Sequence, residues 1–275
     1  MASRFFSVSA TVAALGAVAP AFPALADQPR PWQLGMQDAA SPTMERIIGL
    51  NTWLNVIATL IVLLVMGLVL YIMWRFRAER HPTPARWSHN TPLEVAWTTI
   101  PALILVAIAF PSFRLLYFMD RVQEADMTLK VTGHQWYWSY DYPDQGISFD
   151  ANMVQDSDLK PGQPRLLATD NHVLLPVDTN IRVQIAADDV MHSWAMPALG
   201  LKTDAVPGRL NETWVRITRP GLYYGQCSEL CGVNHAFMPI TVEAVPRPQF
   251  DAWAAGRKQA QAQPTHPAAL AQAAR

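Results

Sequence analysis

Two long stretches without a single charged residue stand out in the hydrophobic pattern. The first runs from residue 47 to 74, between Arg46 and Arg75, and from Trp53 to Trp74 is almost wholly Leu, Val, Ile and Met. At about 1.5 Å per helical residue it crosses a hydrocarbon core about 30 Å thick, with aromatic residues near both ends. The second, residues 95–113, lies between Glu94 and Arg114 and contains Pro101 and Pro111. Prolines bend a helix but are tolerated in membrane spans. The pattern therefore predicts two transmembrane helices, at about 48–75 and 94–117, within an N-terminal segment and anchor covering residues 27–126. The connector holds Arg75, Arg77, Arg80 and Arg86 against the single acid Glu79, so the positive-inside bias places it in the cytoplasm and both termini on the other side. The outer faces of such a hairpin have no soluble core to bury against, so it is expected to pack on another membrane subunit.

Ahead of the hairpin, residues 1–26 carry Arg4, then an apolar run ending in Ala24-Leu25-Ala26 before Asp27. A basic start, an apolar middle and small residues at the end are the layout of a cleavable secretory signal.

Beyond residue 126 the pattern changes to short β-branched and aromatic runs separated by Pro, Gly, Asp and Asn. Candidate strands cover residues 129–132, 136–142, 172–175, 181–185, 213–217, 222–225 and 240–243. Such spacing predicts an all-β sandwich or barrel over residues 127–246. On a strand, Trp136, Trp138, Tyr140 and Tyr142 would share one face. Residues 247–275, rich in Ala, Gln and Pro, read as a disordered or weakly helical tail.

Composition fits a membrane-anchored chain, with 51% hydrophobic and 16% charged residues. The net charge of −1 hides an acidic domain, since residues 127–246 hold thirteen acids and eight bases. Nothing supports binding to nucleic acid, whose partners are usually basic. An acidic face would instead steer a basic protein partner.

The two cysteines, Cys227 and Cys231, are too close for a structural disulfide to remove much unfolded-state entropy. No Cys-x-x-Cys-His is present, so the chain attaches no c-type haem. Together with His235 and Met238 they put two thiolates, an imidazole and a thioether within twelve residues. Soft sulfur plus imidazole suits copper, and a weak axial Met belongs to copper electron-transfer sites. A mononuclear blue-copper site needs one thiolate, so two point to a pair of copper ions bridged by both sulfurs. That pair calls for a second imidazole, and His192, thirty-five residues before Cys227 at the end of a strand-like run, is the best donor.

With Cys227-x3-Cys231-x3-His235-x2-Met238 and His192 upstream, the chain resembles subunit II of the haem-copper cytochrome c oxidases, specifically the bacterial, CuA-containing aa3 type, over nearly its whole length. The resemblance implies a Greek-key cupredoxin-like sandwich in the periplasm, anchored in the inner membrane beside oxidase subunits I and III. It implies a dinuclear copper centre, CuA, bound by His192, Cys227, Cys231, His235, Met238 and the backbone carbonyl of Glu229, whose side chain reaches a magnesium ion shared with subunit I. It implies electron entry from cytochrome c at Trp136, and a proton-path entrance at Glu94, set here in Glu94-x-x-Trp97. Asp141, Asp188 and Asp189 are candidate docking acids for cytochrome c, by proximity to the aromatic run and to His192. Oxygen would be reduced in subunit I.

Three other readings compete. A free copper carrier or copper-storage domain would need only one membrane anchor, against the hairpin found. The quinol-oxidase version of the fold has lost the copper ligands, which this chain retains. Nitrous oxide reductase needs a large additional domain that is absent here.

Overall fold

The computed structural model of the chain describes residues 26–120 and 124–262. The predicted signal segment, Ala26 apart, and residues 263–275 of the predicted tail lie outside the described residues.

Helix α1 covers Pro42–Arg75 and α2 covers Thr91–Asp120. Both extend past the uncharged runs that predicted them, because local capping sets where they begin. Ser41 takes extended dihedrals and its Oγ accepts the Met44 N–H at 3.0 Å, while Pro42 stands at the first helical position, where its missing N–H costs nothing. Asn90 does the same for α2, its Oδ1 accepting the Leu93 N–H at 3.2 Å. Pro101 and Pro111 lie inside α2 without ending it. The apolar windows of both helices are uncovered by the rest of the chain, as expected of surfaces that face lipid or other subunits.

The sandwich consists of two mixed sheets. One has β4 (Ile147–Ala151), β3 (Tyr137–Tyr142), β2 (Met127–His134), β6 (Ile181–Ala187) and β9 (Asn211–Val215) in that spatial order. The other runs β5 (Val173–Pro176), β11 (Pro239–Val245), β10 (Gly221–Cys227), β7 (His192–Met196) and β8 (Leu201–Ala205). A two-residue strand β1, Ala26–Asp27, pairs in parallel with Leu222 and Tyr223 of β10. Strict alternation orients the strands: Met127, Leu129, Val131 and Gly133 of β2, and Ile181, Val183, Ile185 and Ala187 of β6, all point inward. Trp138 of one sheet and Trp194 of the other are both fully buried, and the Trp194 indole N–H reaches across the sandwich to the Tyr140 hydroxyl at 3.2 Å. That satisfies a polar group which burial would otherwise penalise.

Two sequence expectations are corrected. Trp138, Tyr140 and Tyr142 share the inner face of β3, but Trp136 precedes the strand and is only partly buried. The expected tail forms helix α3 over Arg247–Ala262, with Phe250 fully buried among core residues and Trp253 packed on Tyr142 and Phe149. Composition reported the solvent face of this helix; two aromatics three residues apart supply the buried face.

Candidate metal centre

The site forms where three neighbouring strands end together. Strand β10 lies between β11 and β7, and the last residue of β10, Cys227, pairs with Trp194, so the first residue of β7, His192, lies diagonally across from it on the same face. The loop from Ser228 to Met238 closes the β10–β11 hairpin. Its ends are pinned by the Cys227 N–H to the Met238 carbonyl and the Ser228 N–H to the Ser193 carbonyl, both at 3.0 Å. A loop so anchored has few ways to place its donors.

Each thiol has one imidazole. Cys227 Sγ lies 3.9 Å from His192 Nδ1, and Cys231 Sγ lies 3.6 Å from His235 Nδ1. The two sulfurs are 3.8 Å apart, unbonded, and the Glu229 carbonyl sits 3.3 Å from Cys227 Sγ. Ligand atoms of His192, Cys227 and Cys231 all fall within 4.8 Å of one another. Met238 is buried, and its carbonyl, accepting the Cys227 N–H, keeps it beside the first cysteine. Burial, then the neighbouring Cys227, pushes the Cys231 thiol up to about 12. Two dry sulfurs this close cannot both ionise unaided, which is the electrostatic condition a bound cation relieves by replacing their protons. Two thiols, two imidazole Nδ1 atoms and a buried thioether fit copper.

The surroundings fix the ligands. The His192 ring meets the edge of Trp138, and its Nε2 lies 2.9 Å from Asp189 Oδ1. Asp189 also accepts the backbone N–H groups of Val190 and Gln135, each at 2.6 Å. Burial alone would raise this carboxyl, but the hydrogen bonds from His192, Val190 and Gln135 hold it below the usual carboxylate range. On the other side, the Gln135 side-chain amide and the Trp136 indole N–H both donate to the Cys231 carbonyl, at 2.7 and 3.2 Å. Gly133 makes room: a Cβ there would stand 2.8 Å from the His192 ring. Gly232, at φ +120°, turns the ligand loop beneath Trp136 in a conformation L side chains rarely adopt.

The structure thus gathers His192, Cys227, Glu229, Cys231, His235 and Met238 at one end of the sandwich, with Trp136 against them. It separates the three candidate docking acids. Asp188 is exposed and lies 3.6 Å from His134 Nδ1, Asp141 is 4.0 Å from Lys130 on the outer sheet face, and Asp189 is turned toward His192. Glu94 lies far away in the first turn of α2, where its Oε1 accepts the Asn90 N–H at 3.3 Å. Sequence reasoning did not single out Gly133 and Gln135 as supports, nor the contact that Asp189, a candidate docking acid, makes with His192; an Asp three residues before a candidate ligand His was the available signal.

The fold and site together define a two-span membrane protein whose β-sandwich carries a buried thiol–imidazole pocket suited to copper. Residues 127–245 match the family model for cytochrome C oxidase subunit II, periplasmic domain, and residues 29–115 match that for its transmembrane domain. The chain is 52% identical over 233 residues to a probable cytochrome c oxidase subunit 2 of Rickettsia bellii, covering 84% of this chain and 87% of the relative. It is 49% identical over 237 residues to cytochrome c oxidase subunit 2 of Oenothera berteroana, covering 84% and 92%. The crystal structure of the periplasmic domain of subunit II of cytochrome oxidase of Bradyrhizobium japonicum is 51% identical, with a TM-score of 0.48 over 50% of this chain and 98% of that one. The chain belongs to the cytochrome c oxidase subunit II family, membrane-embedded subunits of an oxidoreductase.

Proposed function

We propose that this subunit is the electron inlet of its oxidase, taking electrons from cytochrome c in the periplasm and passing them to the haem and copper site of subunit I, where oxygen is reduced to water with proton pumping. The observation that carries the reading is the one-to-one pairing of thiols and imidazoles around sulfurs 3.8 Å apart. His192, Cys227, Cys231 and His235 would hold a pair of copper ions, with Met238 and the Glu229 carbonyl as further ligands. When bound, such a copper pair would supply one-electron redox chemistry with little reorganisation. The chain's part is to hold the donors still, through the β7–β10–β11 ladder, Asp189 and Trp138.

Trp136 is the proposed entry point. Its indole N–H reaches the carbonyl of Cys231, linking a partly exposed ring to the backbone of a ligand residue. Asp188 and Asp141 are left to guide a basic cytochrome c, whereas the charge of Asp189 is committed to His192. The side chain of Glu229 is free to reach a magnesium ion at the boundary with subunit I. Glu94, at the cytoplasmic start of α2, is proposed as the mouth of a proton path into that subunit, with subunit III completing the membrane assembly.

Electron paramagnetic resonance of the copper-loaded protein tests the centre: hyperfine coupling to two equivalent copper nuclei is expected, and coupling to one would refute it. Trp136→Gln should slow electron uptake from cytochrome c while copper content is unchanged. An unaltered rate would remove Trp136 from the path.

A further inference from the structure

A groove between the sandwich-side ends of α1 and α2 has no part in the metal centre. It encloses about 570 Å³ and is lined by Arg46, Gly49, Leu50 and Trp53 of α1 and by Pro111 and Arg114 of α2. Its chemistry is split: two guanidinium groups at the rim and apolar surface below. Arg46 lies 3.5 Å over the Phe118 ring, a stacking that occupies the face of the guanidinium and leaves its in-plane N–H donors available. Among the described residues no acid forms an ion pair with Arg46 or Arg114, although Glu45 is adjacent in sequence. At Gly49 a Cβ would meet nothing within 4 Å, so the floor is open.

The depth is informative. Arg114 follows Glu94 by twenty helical steps, about 30 Å of helix, the thickness of the hydrocarbon core. Arg114 therefore stands at the headgroup boundary, and Arg46 lines the same groove. The sandwich lies on this side, since the Trp214 indole N–H donates to the Phe118 carbonyl at 3.2 Å. Two unpaired arginines at headgroup depth, above an apolar cleft with an interfacial Trp, complement an amphiphile with an anionic head.

We propose that this groove binds one anionic phospholipid of the leaflet on the sandwich side, with its phosphodiester between Arg46 and Arg114 and an acyl chain along Leu50 and Trp53. Two positive groups facing one phosphate leave a surplus of positive charge, so a phosphatidylglycerol head is preferred over phosphatidylcholine, whose own cation would be repelled. The carboxylate of another membrane subunit is the rival occupant, but it would use the rim and leave the apolar floor unfilled.

The test is native mass spectrometry of the oxidase complex purified with this full-length chain, titrated with dioleoylphosphatidylglycerol or dioleoylphosphatidylcholine. The wild type should bind one phosphatidylglycerol that Arg46→Gln/Arg114→Gln binds ~tenfold more weakly. Gly49→Phe, which fills the floor and keeps both charges, should weaken it similarly. Arg46→Lys/Arg114→Lys and the connector variant Arg86→Gln should retain it, and inorganic phosphate should not displace it. The proposal is overturned by equal retention in the Gln variant, by equal binding of both lipids, by loss in the Lys variant, by displacement with phosphate, or by crosslinking of this groove to an acidic side chain of another subunit. The readout is lipid mass, independent of copper content and electron transfer.

Discussion

His192 is held from every direction. Gly133 leaves space beneath its ring, Trp138 meets it edge-on, Asp189 takes its Nε2 side, and Nδ1 is left facing Cys227. The ring has no room to turn. Adding one methyl group at Gly133 would place it 2.8 Å from the His192 ring, closer than real Cβ contacts allow. Gly133→Ala should therefore weaken copper binding by about ten- to a hundredfold, measured by competition with a chelator, with the secondary structure retained by circular dichroism. Asp188 and Asp189 are neighbours that should behave oppositely. Asp188 is 73% exposed and Asp189 33%. Asp188→Asn should slow association with cytochrome c at low salt and converge on the wild-type rate as salt rises. Asp189→Asn should alter the copper spectrum and weaken copper retention by about tenfold at any ionic strength. Four of the proposed donors, Cys227, Cys231, His235 and Met238, were legible as a cluster because they are close in sequence, whereas His192 and the Glu229 carbonyl joined them through the family resemblance and the strand-like run before His192. The supports were not legible, because Gln135 meets Asp189 and Cys231 across 54 and 96 residues, and no local pattern marks a contact that only the closed sandwich creates.

The elements read most easily are those whose signal is a property of one segment. The two spans announce themselves by uncharged length, and only their starts at Pro42 and Thr91 depend on caps lying outside the apolar runs. Strands β2, β6 and β11 carry long alternating or apolar patterns. Strands β4, β7 and β8 went unread as strands because polar or charged residues break their short apolar runs, Asp150 in β4, His192 and Ser193 in β7, Lys202 and Asp204 in β8, whereas the still shorter β5 is the continuous apolar run Val173–Pro176. Helix α3 is the clearest case of composition misleading. Gln249, Ala252, Ala255, Gln259 and Ala260 are exposed, while Phe250, Trp253, Ala254 and Arg257 form a stripe against the sandwich. Trp253 packs edge-on to Tyr142 at 5.5 Å, and the Arg257 guanidinium lies 5.4 Å from the Phe149 ring. The fully buried Phe250 ring joins the same cluster through Tyr142. Phe250→Ala should cost about 3–5 kcal/mol, read as a lower urea midpoint for unfolding of the sandwich. A loss below 1 kcal/mol would mean that α3 is an appendage, as its composition suggests. Arg257→Gln, removing the ring-stacked charge and the guanidinium hydrogen bond to Asn171 Oδ1 at 3.1 Å, should cost about 1–2 kcal/mol.

At the scale of the whole molecule, the question is how a metal pocket is kept at a fixed place relative to the membrane. The sandwich is tied to both helices. At α1, Ser41 Oγ donates to the Leu199 carbonyl at 2.7 Å, while the Ala40 N–H donates to Ala198 and the Ala40 carbonyl accepts the Thr218 N–H, both at 2.9 Å. At α2, Trp214 donates to the Phe118 carbonyl and packs edge-on against the Phe118 ring at 5.2 Å. Ser41 is thus both the cap that starts α1 and the bolt that holds the sandwich to it. Under the proposed function, an electron passed from this pocket to an acceptor in a neighbouring membrane subunit would depend on the distance this joint sets. Trp214→Ala removes one buried hydrogen bond and one aromatic pair, together about 2 kcal/mol, a shift of about thirtyfold in the balance between docked and undocked arrangements at α2. The α1 contacts remain, so the domain stays attached but its tilt is freed. The expected outcome in the assembled oxidase is normal copper content and normal uptake from cytochrome c, but slower onward transfer to haem after flash reduction. Slowed uptake with unchanged onward transfer would instead mean that Trp214 supports the donor face and that the α1 contacts alone fix the sandwich on the membrane.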